Sequence, residues 1–300
     1  DMKFVKLFKE GDVFDRTDLE KYTVKKGIEY LFIREEQTKE FVLKYKADLD
    51  KMLATNLTFK DVAKANESVH ETIRELGKTI GFTAEVQEIA KTQIQATMKA
   101  IGKAPRLQEI IAKIKETDGK YIGSHSTLCS FLACAISSQM KWASEQTFHK
   151  LNLAAFSHDV TLTNHDLAAC TSVDEAIKGG FTTQEIASYK AHPFEAAQIA
   201  KGFTEVPPDV DAIIAQHHER PDGTGFPRGL NHQYISPLSA IFIVAHDLAQ
   251  YAIRTGENFS VVEFVKTYRN LYKTSQFKKI LVCLEELQES LKPPSTAKAA

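Results

Sequence analysis

At 300 residues, 43% hydrophobic and 26% charged, the chain reads as globular and long enough for two domains with a sizeable core, and wholesale disorder is not the default. Lys plus Arg (38) nearly balances Asp plus Glu (39), so whole-chain charge gives no argument for binding nucleic-acid polymers or acidic membranes, and an anionic ligand has to be drawn in locally. The four cysteines, Cys129, Cys134, Cys170 and Cys283, lie in apolar helical contexts without a Cys-x-x-Cys pair. That is the usage of free thiols in a reducing compartment, and the cytoplasm is the assignment.

In chain order, residues 1–48 read as a small α+β domain, regulatory or partner-binding. Its strands are Phe4–Phe8 and Tyr30–Ile33, and its one short helix has Asp15 or Thr17-Asp18 as caps and Gly27 as its end. Residues 49–115 read as a helical connector: Val62, Val69, Ile73 and Leu76 recur at helical spacing, and Pro105 opens a helix carrying Leu107, Ile110, Ile111 and Ile114. Residues 116–292 form the main helical domain, and residues 293–300, Pro-Pro-Ser-Thr and the alanines after it, are a disordered tail. The fold class is mainly α. Ile235–Ala252 is the best candidate for a membrane span, but His246 and Asp247 interrupt it short of the about 18 apolar residues required. No signal-peptide pattern opens the sequence, and the Asp before Met2 reads as an addition.

Chemistry concentrates between residues 125 and 247. His125, His158-Asp159, His192, His217-His218 and Asp247 fall on successive helices or helix ends, at intervals that suit a helix, a turn and a return. Their side chains can therefore meet inside a bundle, as in other bundle-core metal sites. Consecutive helical residues point roughly 100° apart, so His217 and His218 are expected to serve one ion each, and this favours a metal pair. Asp159 has two oxygens and can bridge the ions, while His158 binds one. Imidazole and carboxylate ligands without thiolates suit iron, with manganese as the alternative. Such a pair lowers the pKa of a bridging water and holds phosphate oxygens for in-line attack.

The segment His217-His218-Glu219-Arg220-Pro221-Asp222-Gly223-Thr224-Gly225-Phe226-Pro227 resembles the HD-GYP signature His-His-Glu-x-x-Asp-Gly-x-Gly-Tyr-Pro, with phenylalanine for tyrosine. Ser157-His158-Asp159 after an apolar run resembles the family's HD dipeptide, His125-Ser126 and His192-Pro193 its flanking elements, and Asp247 its closing carboxylate. The resemblance covers roughly residues 116–255 and implies an all-helical HD-type bundle, a di-iron or related centre, and hydrolysis of cyclic di-GMP. On this reading His125, His158, Asp159, His192, His217, His218 and Asp247 hold two irons and a bridging hydroxide, with Asp159 and His158 at the reacting centre. The product is pGpG, or GMP beyond it.

The sequence also departs from the family. Leu162 stands where a phosphate-contacting lysine is usual, Phe226 lacks the tyrosine hydroxyl, and Tyr121 replaces a glutamate that holds a third metal in some members. No register places the phosphate-binding arginine, so Arg220, Arg228 and Arg254 are all candidates. These departures motivate a second reading: a catalytically weak metal protein that senses a cyclic dinucleotide or docks a signalling partner through the Asp222–Pro227 loop. An HD hydrolase acting on another phosphoester is the third. Glu219 is assigned a hydrogen bond to a ligand imidazole, and His246 a packing or supporting role. His165-Asp166 reads as a helix start, and His70, His149, His165 and His232 are assigned to solvated faces or local hydrogen bonds.

Overall fold

The computed structural model describes residues 7, 11–13, 15–27, 33–54, 59–101, 121–203 and 206–290. The expected strands around residues 4–8 and 30–33 lie almost wholly outside these, as do the helix after Pro105 and the tail. Among the described residues there is no strand, and the one β pairing is an isolated bridge between Asp222 and Asn231. The chain divides into two compact units, residues 1–42 and 43–300.

The first unit contains α1, Arg16–Lys26. Asp15 caps it by accepting from Asp18 N at 3.0 Å, and Asp18 returns the bond to Asp15 N, so two of the orphan amides at the helix start are satisfied. Gly27 ends the helix in the left-handed region at φ 62°, which costs glycine no Cβ clash. Helix α2, Thr38–Leu53, starts in this unit and runs into the next.

In the second unit, α3 (Phe59–Ile80) and α4 (Ala84–Ile101) pair across a turn at Gly81. Their buried faces, Val62, Val69, Ile73 and Leu76 on α3 and Val86, Ile89 and Ile94 on α4, follow helical spacing. They pack on each other and on the following helices α5 (Tyr121–Ser138) and α6 (Glu145–Ser157). Beyond these come short α7 (His165–Ala168) and α8 (Val173–Lys178), then α9 (Thr183–Lys201), α10 (Val210–Gln216), α11 (Pro237–Thr255), α12 (Val261–Tyr268) and α13 (Ser275–Ser290). Asn164 caps α7, so His165-Asp166 is indeed a helix start.

Helix α11 is the centre of the bundle. Every residue from Ser239 to Gln250 is buried, because α5, α6, α10 and α13 cover it on all sides. A helix so enclosed has no solvated face to hold His246 and Asp247, so their polar atoms have to find partners inside the protein. No described helix is long and apolar enough to cross a membrane.

Candidate metal centre

His158 is the residue just past α6, and His217 the residue just past α10. The last carbonyls of a helix have no amide partner within it, and each histidine supplies one. His158 Nδ1 donates to Ala155 O at 2.9 Å and His217 Nδ1 to Ile214 O at 2.7 Å. His192 reaches the same arrangement inside α9 by another route. Pro193 has no amide hydrogen, which frees the Tyr189 carbonyl one turn earlier, and His192 Nδ1 donates to that oxygen at 2.6 Å. In all three rings the Nδ1 proton is committed to backbone, so the Nε2 lone pair is turned inward in a fixed tautomer.

These lone pairs converge on Asp159. Its Oδ2 lies 3.2 Å from His158 Nε2, and its Oδ1 lies 3.4 Å from His192 Nε2 and 3.8 Å from His217 Nε2. Burial opposes ionisation of this carboxyl, but with a proton on the facing ring nitrogens the charge and hydrogen bonds of His158 and His192 outweigh it and hold the pKa well below the usual range. His192 Nε2 and His217 Nε2 are 3.0 Å apart, two lone pairs facing each other. His125, His217 and His218 are kept neutral by burial and by neighbouring imidazoles, which push them well below the ordinary histidine range.

His217 and His218 do not point apart as two helical neighbours would. Helix α10 stops at Gln216, and the rings lie 4.2 Å apart between centroids. Donor atoms of His192, His217 and His218 fall within 4.8 Å of one another, so adjacency gives no argument for one ion each. The 100° rule behind that argument holds only inside a helix, and these two residues lie past the end of one.

The glycine-rich loop shapes this end of the site. A Cβ on Gly225 would stand 2.4 Å from Arg220 N and 2.5 Å from His218 O, so only glycine lets the loop lie against the histidine backbone. Asp222 Oδ1 accepts from Thr224 N and Oγ1, closing the turn, and Phe226 stacks on His218 with ring centroids 4.4 Å apart. Glu219 does not reach an imidazole. Its two oxygens accept from Arg228 N at 2.8 Å and Leu230 N at 2.7 Å, because the loop folds back over it with unpaired amides.

On the other side, α5 brings in His125, fully buried, with its ring stacked against Tyr121 and its Nε2 3.4 Å from Cys129 Sγ. Donor atoms of His125, Cys129 and His158 form a second close group, and those of His158, His217 and His246 a third. In the sequence alone Cys129 reads as a free thiol in an apolar helix and His246 as a packing or supporting residue, so neither is named as a candidate ligand. Cys129 follows His125 by one helical turn, a signal open to inspection. The ring of His246 packs edge-on against His125, His158 and His218 and lies 5.1 Å from His217, which is tertiary information. His70, assigned to a solvated face or a local hydrogen bond, is buried on α3, and its Nε2 has no hydrogen-bond partner among the described residues. It lies 4.2 Å from Phe156 between ring centroids, and burial pushes its pKa down to about 3.

Asp247 is buried, and its Oδ2 accepts from Arg220 Nη1 at 2.5 Å and from the Tyr272 hydroxyl. Its Oδ1, 3.8 Å from His246 Nδ1, has no hydrogen-bond partner among the described residues. Arg254 donates to the Ala169 carbonyl and to Glu175, both at 2.6 Å. Arg228 is exposed on the loop, and Leu162 is buried in an apolar cluster with Ile122, Leu167 and Tyr189.

This donor set fits a divalent metal. Two ligands on one ion, with bonds of about 2.0–2.2 Å, stand roughly 2.9–3.4 Å apart, the spacing of the His158, His192, His217 and Asp159 atoms. His158 Nε2, His218 Nδ1 and His246 Nδ1 are buried without a hydrogen-bond partner among the described residues. A cation satisfies such atoms where no protein donor can.

Residues 123–257 match a family model described as HD domain. No curated protein matches the chain. Among solved structures, Bd1817, a HDG"Y"P protein from Bdellovibrio bacteriovorus, is similar at a TM-score of 0.56 and 19% identity, over 88% of this chain and 82% of its own. At that identity the likeness establishes the shared helical fold.

Proposed function

We propose that the chain is an HD-GYP-type, metal-dependent phosphodiesterase opening cyclic di-GMP to pGpG, and onward to GMP, at two metal ions, on the match of residues 123–257 to the HD domain model together with the signature segment His217–Pro227. The observation behind this reading is the division of the Asp159 carboxylate, with Oδ2 toward His158 and Oδ1 toward His192 and His217. A carboxylate so divided is suited to join two ions at the short separation used for in-line displacement. His125, His158, Asp159, His192, His217 and His218 would hold them, and Asp247 has only Oδ1 left to contribute. Nitrogen and carboxylate donors favour iron, with manganese as the alternative. Bound ions of this kind activate a water and polarise phosphate oxygens.

The chain's own part is orientation. Backbone carbonyls fix the His158, His192 and His217 rings before any ligand arrives, and Asp159 stays ionised. Of the three candidate arginines, Arg228 is the one exposed on the signature loop and so best placed for a substrate phosphate. Arg220 and Arg254 are held by Asp247 and Glu175. Four cysteines without a disulfide suit a reducing compartment, the cytoplasm.

One observation favours the second reading, a weakly active sensor of a cyclic dinucleotide or a docking protein for a signalling partner through Asp222–Pro227. The ligand imidazoles are at most 2% exposed, so a phosphodiester reaches them only if the surrounding side chains move. Product analysis with metal-reconstituted protein separates the two. Linear pGpG formed at a rate that depends on added metal supports the enzyme, binding of cyclic di-GMP without turnover supports the sensor, and neither binding nor turnover overturns both.

A further inference from the structure

Cys129 and His125 share one face of α5, a turn apart, and both are fully buried. Their donors, Cys129 Sγ and His125 Nε2, are 3.4 Å apart. The third member of the group is His158, whose Nδ1 is spent on Ala155 O and whose buried Nε2 has no hydrogen-bond partner among the described residues. Tetrahedral donors on an ion with bonds of about 2.0 Å to nitrogen and 2.3 Å to sulfur stand about 3.5 Å apart, close to the separation of Sγ and Nε2.

We infer that Cys129 is a thiolate ligand and that the two metal positions are chemically unequal. One is built from His125, Cys129 and His158 on the Oδ2 side of Asp159, and the other from His192, His217 and His218 on the Oδ1 side. This rests on the two-ion reading given above. The two sets share no residue, and with their Nδ1 protons on backbone carbonyls, His158 and His217 have one lone pair each to give. Binding breaks the Cys129 S–H bond, forms a bond from sulfur to the ion and releases the proton to solvent, with no change of oxidation state. A thiolate shifts this position toward zinc, iron or cobalt and away from magnesium or manganese.

Cobalt(II) titration of the full chain tests the inference, read by sulfur-to-cobalt charge-transfer absorption in the near ultraviolet and by bound cobalt. The wild type is expected to show the band and take up about two ions. Cys129→Ser loses the band and about one ion. Cys134→Ser, which removes a buried thiol further along the same helix, keeps both. Two ions bound with no band in the wild type, or a band unchanged in Cys129→Ser, overturns the thiolate ligand while leaving the two-ion reading standing. A folded wild type that binds no cobalt overturns both.

Discussion

Asp159 Oδ1 lies 3.4 Å from His192 Nε2, although the two residues belong to different helical segments, one just past α6 and the other within α9. The contact requires both ends to be held. His192 is turned inward by the carbonyl that Pro193 frees, and Asp159 follows His158, whose own ring is tied to Ala155. Its other oxygen faces His158. The carboxylate thus connects two groups of nitrogen donors that α5, α6, α9 and α10 bring from different directions.

Replacing Pro193 with alanine restores an amide hydrogen at the Tyr189 carbonyl. The competing helical bond then weakens the hold on His192 Nδ1. The hydrogen bond that holds the other ring nitrogen of a metal-binding histidine is worth about 10–100-fold in metal affinity, so a loss in that range is expected while the helix itself is no less stable. Competition with a chelating dye gives the affinity, and a thermal melt checks the fold. An unchanged affinity contradicts the role given to Pro193.

Gly225→Ala puts a methyl group into the backbone of residues 218–220, where no flexible side chain can give way. Overpacking of this kind costs about 1–3 kcal/mol, and the strain falls on the segment carrying His218. Denaturant unfolding should show the loss. Metal content should fall with it, whereas Thr224→Ala, at an exposed position in the same loop, should have a small effect on both.

Arg220 lies against the buried Asp247, and its removal leaves that carboxylate without its cation. Arg220→Ala is expected to cost about 3–5 kcal/mol, and the Arg220→Ala/Asp247→Asn pair distinctly less than the sum of its parts. A double-mutant cycle by urea unfolding checks the coupling. Additive effects would show that Arg220 is not a structural partner of Asp247.

Glu175 sets a pH-dependent contribution away from the metal site. Burial raises its pKa, but hydrogen bonds from Thr171 N and Oγ1 and the ion pair with Arg254 outweigh this and leave it below 4.5. A lowered carboxylate pKa adds stability above the unfolded value and loses it as pH falls through the folded one. The wild type should therefore lose this contribution on acidification below 4.5, and Glu175→Gln should show a flatter melting profile there. The effect is small, because the pair is partly solvated.

Much of the fold was legible, because apolar spacing on α3, the cap at Asp15 and the helix start at His165-Asp166 are local properties of the chain. The signature segment was legible for the same reason, since its glycines answer to backbone contacts within a dozen residues. What escaped depends on packing between distant segments. Cys129 sits in the apolar run of α5 and reads as core until His158 is seen beside it. His246 and Asp247 are sequence neighbours that face different partners, one the imidazoles and the other Arg220 and Tyr272. The part of Glu219 was hidden because its partners are backbone amides of a loop whose path no spacing rule fixes.

Elemental analysis of chelator-free protein, wild type beside Asp159→Ala and His125→Ala, tests the two-sided centre most directly. With Asp159 serving both positions, the wild type should hold about two ions per chain, Asp159→Ala fewer than about one, and His125→Ala about one, each variant remaining folded by circular dichroism. Asp159→Ala that keeps two ions, or wild-type protein that holds none and regains none on reconstitution, would contradict the account.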